Sequence, residues 1–330
     1  DGGSAEAAYA AAQARLEAVA ADFRKPAPPL KGDAAPEPDR FTTPVSRETY
    51  RGIVEKAKEY IRAGDIFQVV PSHRFRAKIG CDPFAIYRSL RRTNPSPFLY
   101  FLDFGDFHIA GSSPEILVRL RDGKITIRPI AGTRPRGATP DEDRRLEEEL
   151  IADPKERAEH LMLLDLGRND VGRVAMLKNA GANEPAQRTR SPRVRVTASF
   201  FVERYSHVMH LVSNVEGDAP EGLDPIDVLM AALPAGTLSG APKVRAMQII
   251  DELELEKRGI AYAGAVGYFG ADGSVDTCIV LRTACFKDGQ MYVQAGGGVV
   301  ADSDPDAEYN ETLQKARALR QAAEESWRFV

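Results

Sequence analysis

Three side chains near the end of the sequence, Glu308, Glu311 and Lys315, stand at i, i+3 and i+7, a spacing that puts them on one face of a helix. Two carboxylates and an ammonium on one stripe can hold a divalent cation and an anionic substrate together. The same spacing also suits a solvated, salt-bridged face. Glu159, beside His160 and followed by Leu161, Met162, Leu163 and Leu164, is another carboxylate on the border of an apolar run. Pointed inward it needs a partner, for which a metal or a neighbouring cation would serve. The adjacent glycines Gly296, Gly297 and Gly298 follow a strand-like run. Lacking Cβ atoms, they let backbone N–H groups approach an anion, and they equally suit a flexible turn. No G-K-[ST] follows them and no G-x-G-x-x-G is present, so neither a P-loop nor a dinucleotide fingerprint is implied. The string GTLSGAPK over 236–243 gathers small residues and hydroxyls, Thr237 among them, into a loop entering a helix at Pro242. Helix N-termini attract anions. His207 and His210 lie on a predicted strand and fall on opposite faces because their spacing is odd. A lone histidine there suits a structural bond as well as catalysis. These residue types point to an enzyme that binds an anion and a metal.

The elements that must position them follow from periodicity. Residues 1–22 are Ala-rich and helical in character, and 25–44 form a proline-rich linker. Ser46 can cap a helix carrying Tyr50, Ile53, Val54, Ala57, Tyr60 and Ile61 at helical spacing, with Gly64 to end it. A strand-like run covers 66–70, and Pro83 opens a short helix ending near Thr93. Strands are predicted at 98–103, 107–111, 116–120 and 125–130, with Asp122-Gly123 as a hairpin signal. Asp153-Pro154 starts a helix running to about Asn169, Asp as cap and Pro in the first turn. Residues 176–193 are polar, basic and aperiodic, and read as a surface loop. Strands follow at 194–202 and 207–215, helices from Pro225 and Pro242, strands at 262–269, 275–286 and 291–294, and a helix from about Pro305 to Glu325. Strands come in blocks without strict helical alternation, which predicts an α+β fold with largely antiparallel sheet.

A net charge of −4 provides no basic face for nucleic acid. No uninterrupted apolar stretch approaches the roughly 20 residues a membrane-spanning helix needs, so no membrane partner is expected. The odd cysteine count (Cys81, Cys278, Cys285) without C-x-x-C spacing argues against a zinc site or disulfide framework and favours reduced thiols in a cytoplasmic protein. Cys278 and Cys285, in an apolar run, read as small core residues.

The ordered strings of this sequence resemble the chorismate-utilising enzyme family. They are GDIFQVVPS (64–72), SSPE (112–115), PIAGTRPRG (129–137), Glu159-His160 before DLGRND (165–170), ERYSHVMH (203–210), GTLSGAPK (236–243), QAGGGVV (294–300) and EYNET (308–312). The resemblance covers about residues 46–325. It implies an anthranilate synthase-type fold: two large, mostly antiparallel sheets packed face to face with helices outside. It also implies a division into 1–45, an N-terminal helix and linker left from a missing region, and 46–330, the chorismate-binding catalytic domain. By the same resemblance Glu159 and Glu311, with Glu308 in the cluster, ligate Mg2+ that holds the substrate's ring carboxylate. Glu115 is the general acid for the departing C4 hydroxyl. Tyr262, Arg282 and the backbone of Gly296, Gly297 and Gly298 hold the enolpyruvyl carboxylate. Lys315 adds positive charge beside the metal, and His210 and Thr237 line the reacting ring.

Two positions discriminate within the family. Members that add water at C2 resemble one another in carrying lysine where this chain has Gln68, and a glutamine amide cannot act as that base. Members that place an amino group at C4 usually carry lysine where this chain has Ala131. Both positions imply direct addition of ammonia at C2, with anthranilate and pyruvate as products. The ammonia would come from a glutamine amidotransferase subunit or domain, since this chain has no nucleophilic Cys–His arrangement of its own. The resemblance further implies a tryptophan feedback site, of which only NPSPF at 94–98 is present. The C4-aminating enzymes and a non-catalytic chorismate-binding fragment are the alternatives.

Overall fold

The computed structural model describes residues 4–26, 30, 41–176, 194–205 and 208–330. The predicted loop at 176–193 falls outside them except for Met176, and so does His207.

Two large sheets carry the fold, and every strand pairing among the described residues is antiparallel. The five-stranded sheet has the spatial order Ser72–Lys78, Gln290–Gly296, Thr283–Lys287, His108–Ser113, Phe98–Asp103. The seven-stranded sheet runs Ala265–Phe269, Val275–Ile279, Ile116–Arg121, Lys124–Ile127, Val208–Asp218, Ile130–Pro135, with Arg195–Arg204 also paired to Val208–Asp218. The sheets meet face to face where Tyr100 and Ile109 of the first pack against Cys278 and Val266 of the second. Helices lie outside. Pro83–Thr93 and Pro305–Glu324 bury Ile86, Leu90, Ala316 and Leu319 against Phe75, Phe286, Met291 and Val293. Pro154–Ala175 and Pro225–Ala232 bury Leu164, Val171, Val174 and Val228 against Leu117, Val118, Ile125 and Val215. This is the predicted α+β arrangement. Burial of continuous apolar faces on both sides of each helix–sheet layer drives it.

The predicted caps hold. Ser46 accepts from the Thr49 amide, and Asp153 accepts from those of Lys155 and Glu156. Helix Ala5–Phe23 forms but buries none of its residues. No described helix is long and apolar enough to cross a membrane.

Three expectations need correction, and one element is additional. The run at 66–70 pairs over Gln68–Val69 alone, and a full strand, Ser72–Lys78, begins beyond Pro71. The expected strand at 125–130 ends at Ile127; after Arg128 and Pro129 a new strand, Ile130–Pro135, takes over, and both pair end to end with Val208–Asp218. Proline has no N–H to give a ladder, so the break falls there. The run at 275–286 is two strands in different sheets. A run apolar throughout fits either sheet, so periodicity could not show the crossing. Finally, a helix not anticipated from the sequence spans Pro140–Ala152.

Candidate active site

Two chain crossings between the sheets build the centre of the site. One chain segment leaves the five-stranded sheet at Ser113 and enters the seven-stranded sheet at Ile116, with Pro114 and Glu115 between. Beside it the chain returns from Ile279 to Thr283 through Arg282. The crossings are tied together: Ile279 N–H donates to Glu115 O at 3.0 Å and Ser112 N–H donates to Arg282 O at 3.2 Å. Arg282 holds φ 49°, a left-handed conformation that a long side chain rarely adopts. A strained residue at a functional centre is expected only where the surroundings over-determine it, as two sheets do here. Its guanidinium has no hydrogen-bond or ion-pair partner among the described residues, and burial depresses its pKa against the attraction of Glu115 and Tyr205. An unpaired, half-buried guanidinium is a ready partner for a carboxylate.

Glu115 is buried. Burial pushes its carboxyl up to about 8, while the Thr237 hydroxyl and the Arg282 and Lys315 charges pull it down. At neutral pH it therefore holds a proton. Thr237 stands beside it on the short helix Gly236–Ser239, its buried Oγ1 without a well-aligned hydrogen bond. The loop is docked by a two-residue pairing, Gln68 with Ala241 and Val69 with Gly240. Gly240 is required there: φ is 132°, and a Cβ would stand 2.2 Å from Gln68 O. Arg258 clamps the same junction through Leu238 O and Val70 O, both at 2.5 Å, with Glu254 paired to it at 2.7 Å. Sequence reading missed this residue, since an arginine after a helix has no distinguishing pattern. Lys243, at the end of the supposed anion loop, is buried and donates to Asp170 Oδ1 and Oδ2 (2.9 and 2.8 Å) and to Ala232 O (3.1 Å). All three of its protons are used, so it tethers the loop and does not meet an anion.

The carboxylates gather on the other side. Gln68 Nε2 donates to Glu159 Oε1 at 3.4 Å, and the amide oxygen of Gln68, buried, has no partner among the described residues. Glu308 Oε1 accepts from Ser303 Oγ at 2.7 Å, while its buried Oε2 has no partner among the described residues. Burial raises Glu308 to about 7, with Glu311 adding to it. Burial also raises Glu159, with Glu156 and Glu311 behind it. Glu311 is half-exposed and drawn to Lys315 at 2.6 Å, and Lys315 Nζ also donates to Gly296 O at 2.9 Å. Burial works against the charge on Lys315, but Glu311 lifts its pKa above the ordinary value. The glycine run threads between these groups. A Cβ on Gly297 would lie 2.6 Å from Glu308 Oε2, one on Gly298 2.5 Å from Gln68 Nε2, and one on Gly296 2.9 Å from Tyr262 Oη. Tyr262 is buried, and burial raises its pKa. Among the described residues no three acidic, imidazole or thiol side chains converge into a closed metal cage. The donor set nevertheless suits a hard cation, because Mg2+ needs one or two protein carboxylates and takes its other ligands from water and substrate.

His210 is buried, its Nδ1 against Gly132 O (3.2 Å) and Thr133 Oγ1 (3.0 Å). Burial lowers its pKa, so it is neutral, and the carbonyl contact places the proton on Nδ1. Nε2 has no partner among the described residues. Tyr205 packs edge-on at 5.6 Å. Ala131, one position before the Gly132 bulge, is buried.

This fold and this cleft define a class. The chain matches the chorismate binding enzyme family over residues 2–321 and belongs to it. It is 58% identical over 329 residues to anthranilate synthase component 1 of Cereibacter sphaeroides, covering 99% of this chain and 63% of that protein. The crystal structure of anthranilate synthase component I from Streptococcus pneumoniae superposes with a TM-score of 0.81 at 44% identity, over 96% of this chain and 67% of that one. The menaquinone-specific isochorismate synthase of Escherichia coli shares the fold at a TM-score of 0.75 and 25% identity, over 91% of this chain and 65% of that one. The chain thus spans a little under two thirds of the length of the curated relative from Cereibacter.

Proposed function

We propose that this chain is the chorismate-consuming half of an anthranilate synthase, converting chorismate and ammonia to anthranilate, pyruvate and water in tryptophan biosynthesis. The observation that carries the reading is Gln68: a neutral amide bonded to Glu159, its oxygen without a partner among the described residues, at the position where the family resemblance implies lysine in water-adding members. That oxygen can accept an N–H of ammonia and so aim its lone pair at C2. The amide itself, unlike a lysine of lowered pKa, cannot deprotonate water.

In the proposed reaction ammonia adds at C2, the ring double bonds shift, and the C4–O bond breaks. Glu115 supplies the proton with which that oxygen leaves as water, which its carboxyl near pKa 8 can do at neutral pH. The C3–O bond then breaks as the C2 proton leaves, restoring aromaticity, and a proton taken up at the enolpyruvyl methylene carbon gives pyruvate. Arg282, with no other partner among the described residues, holds the enolpyruvyl carboxylate together with Tyr262 and the amides of 296–298. Thr237 and neutral His210 flank the ring. Glu159, Glu308 and Glu311 would hold Mg2+, with Lys315 beside them; the unpaired Glu308 Oε2 against Gly297 is the place left for it. Bound there, Mg2+ would neutralise the ring carboxylate and fix its orientation.

The ammonia would be delivered by a glutamine amidotransferase partner, and a cytoplasmic setting agrees with three free thiols. Residues 46–330 would be the catalytic domain and 1–45 a connection to a further region. The cleft lined by Pro97, Phe98, Arg119, Arg128 and Tyr205 would be this chain's share of a tryptophan feedback site. Incubation with chorismate, Mg2+ and excess ammonium salt should release fluorescent anthranilate. A product aminated at C4 would instead assign the chain to the alternative branch of the family.

A further inference from the structure

Glu159 lies in the second turn of helix Pro154–Ala175, an end of the helix that buries few of its side chains. From 154 to 162 only one side chain, His160, is fully buried. Its other ties include half-buried ion pairs from Arg134 to Asp153 and Glu156, the Arg157 guanidinium over the Phe200 ring at 4.7 Å, and the Gln68–Glu159 hydrogen bond. His160 Nε2 meets Ser213 Oγ at 2.6 Å, on the helix-facing side of strand Val208–Asp218. Ser213 Oγ also accepts the Phe200 N–H at 3.1 Å. Phe200 is the bulge of strand Arg195–Arg204, with φ 54° and the register slipping between Ala198 and Phe201. Bulges re-aim groups beside functional sites, and a phenylalanine rarely holds this φ without compensation. Here the bulge turns the amide toward Ser213 and sets the ring edge-on to His160 at 4.9 Å. Ser213 has one proton. The arrangement leaving fewest polar atoms unpaired sends it to Nε2, with the imidazole neutral.

We propose that His160 is a positioning residue for the divalent cation: its lock with Ser213 and the Phe200 bulge fixes the rotation of the first two helical turns and so holds Glu159 toward Gln68 and the Glu308–Glu311 cluster. His160 is fully buried and cannot touch substrate or cation; it acts through Glu159 alone. Groups that orient a ligand from behind commonly set affinity as strongly as the ligand's own chemistry. The inference rests on the reading that Glu159 ligates the cation.

The test is Mn2+ binding to the whole chain, followed by electron paramagnetic resonance well below each variant's thermal midpoint. His160→Leu and Ser213→Ala should each weaken binding about tenfold, and the double variant should be little worse than either. His160→Gln, whose amide oxygen reaches the Nε2 position, should stay within about twofold of the parent. Glu159→Gln should lose the site. If Glu159→Gln loses it while His160→Leu and Ser213→Ala bind as the parent does, the positioning role is refuted and the ligand reading stands. If Glu159→Gln itself binds normally, the ligand reading fails. Should His160→Leu not fold, Ser213→Ala and His160→Gln carry the same comparison.

Discussion

Replacing Glu115 by glutamine removes a carboxyl that the fold holds far from its ordinary state. Burial lifts it from 4.5 to about 8, with Thr237, Arg282 and Lys315 only partly offsetting the effect. The sign follows from linkage. A carboxyl whose folded pKa is raised leaves stability intact below pH 4.5, where both states are protonated. Stability then falls as pH rises toward about 8, because the unfolded chain ionises and the folded one must keep its proton. At 1.36 kcal/mol per pH unit, the cost in the parent is roughly 3 kcal/mol near pH 7 and roughly 5 kcal/mol above the folded pKa. Glu115→Gln keeps shape and hydrogen-bonding capacity without titrating. It should therefore match the parent in urea unfolding near pH 4.5 and exceed it by about 3 kcal/mol near pH 7. Pyruvate release from chorismate should be lost in the same variant, the trade of stability for function expected of a strained site. A variant less stable than the parent near pH 7, with the gap closing as pH falls below about 4.5, would refute the reasoning. It would mean that Glu115 is ionised and paired with Arg282, and that it is no proton donor.

Gly297→Ala puts a methyl 2.6 Å from Glu308 Oε2 on a backbone that tolerates it. Calorimetric titration should show Mg2+ affinity weakened about tenfold or more with the thermal midpoint little changed. Lys243→Met leaves Asp170 buried without its partner and should cost roughly 3–5 kcal/mol in chemical denaturation. The double variant Lys243→Met/Asp170→Leu should recover most of that, because the pair tethers the loop and does no chemistry. Arg282→Lys replaces a planar fork by a point charge; the KM for chorismate should rise about tenfold or more with the fold intact by circular dichroism.

The sequence made some of this visible and hid the rest for physical reasons. Caps were readable at Ser46 and Asp153 because a side-chain oxygen followed by helical spacing has one economical use. Helix Pro140–Ala152 has the same kind of signal in Thr139-Pro140 with Glu142, yet it buries only Asp143 and Leu150, so no apolar period announced it. Glu308, Glu311 and Lys315 share a helix face as their spacing requires, but spacing could not separate a buried Glu308 from a half-exposed Glu311. The two crossings that set Glu115 beside Arg282 were invisible, since the apolar run at 275–286 reads as one strand when it serves two sheets. Lys243 looked like part of an anion loop, and only its contact with Asp170, 73 residues away, shows it to be structural.

The most direct test of the account is turnover of chorismate by this chain with Mg2+ and 15N-ammonium in 18O-water, with products resolved by mass spectrometry. The expected products are anthranilate carrying one 15N and pyruvate in equal amount, with no ring hydroxyl from solvent. Isochorismate or salicylate carrying 18O, or a folded chain that binds chorismate and Mg2+ yet releases no pyruvate, would contradict it.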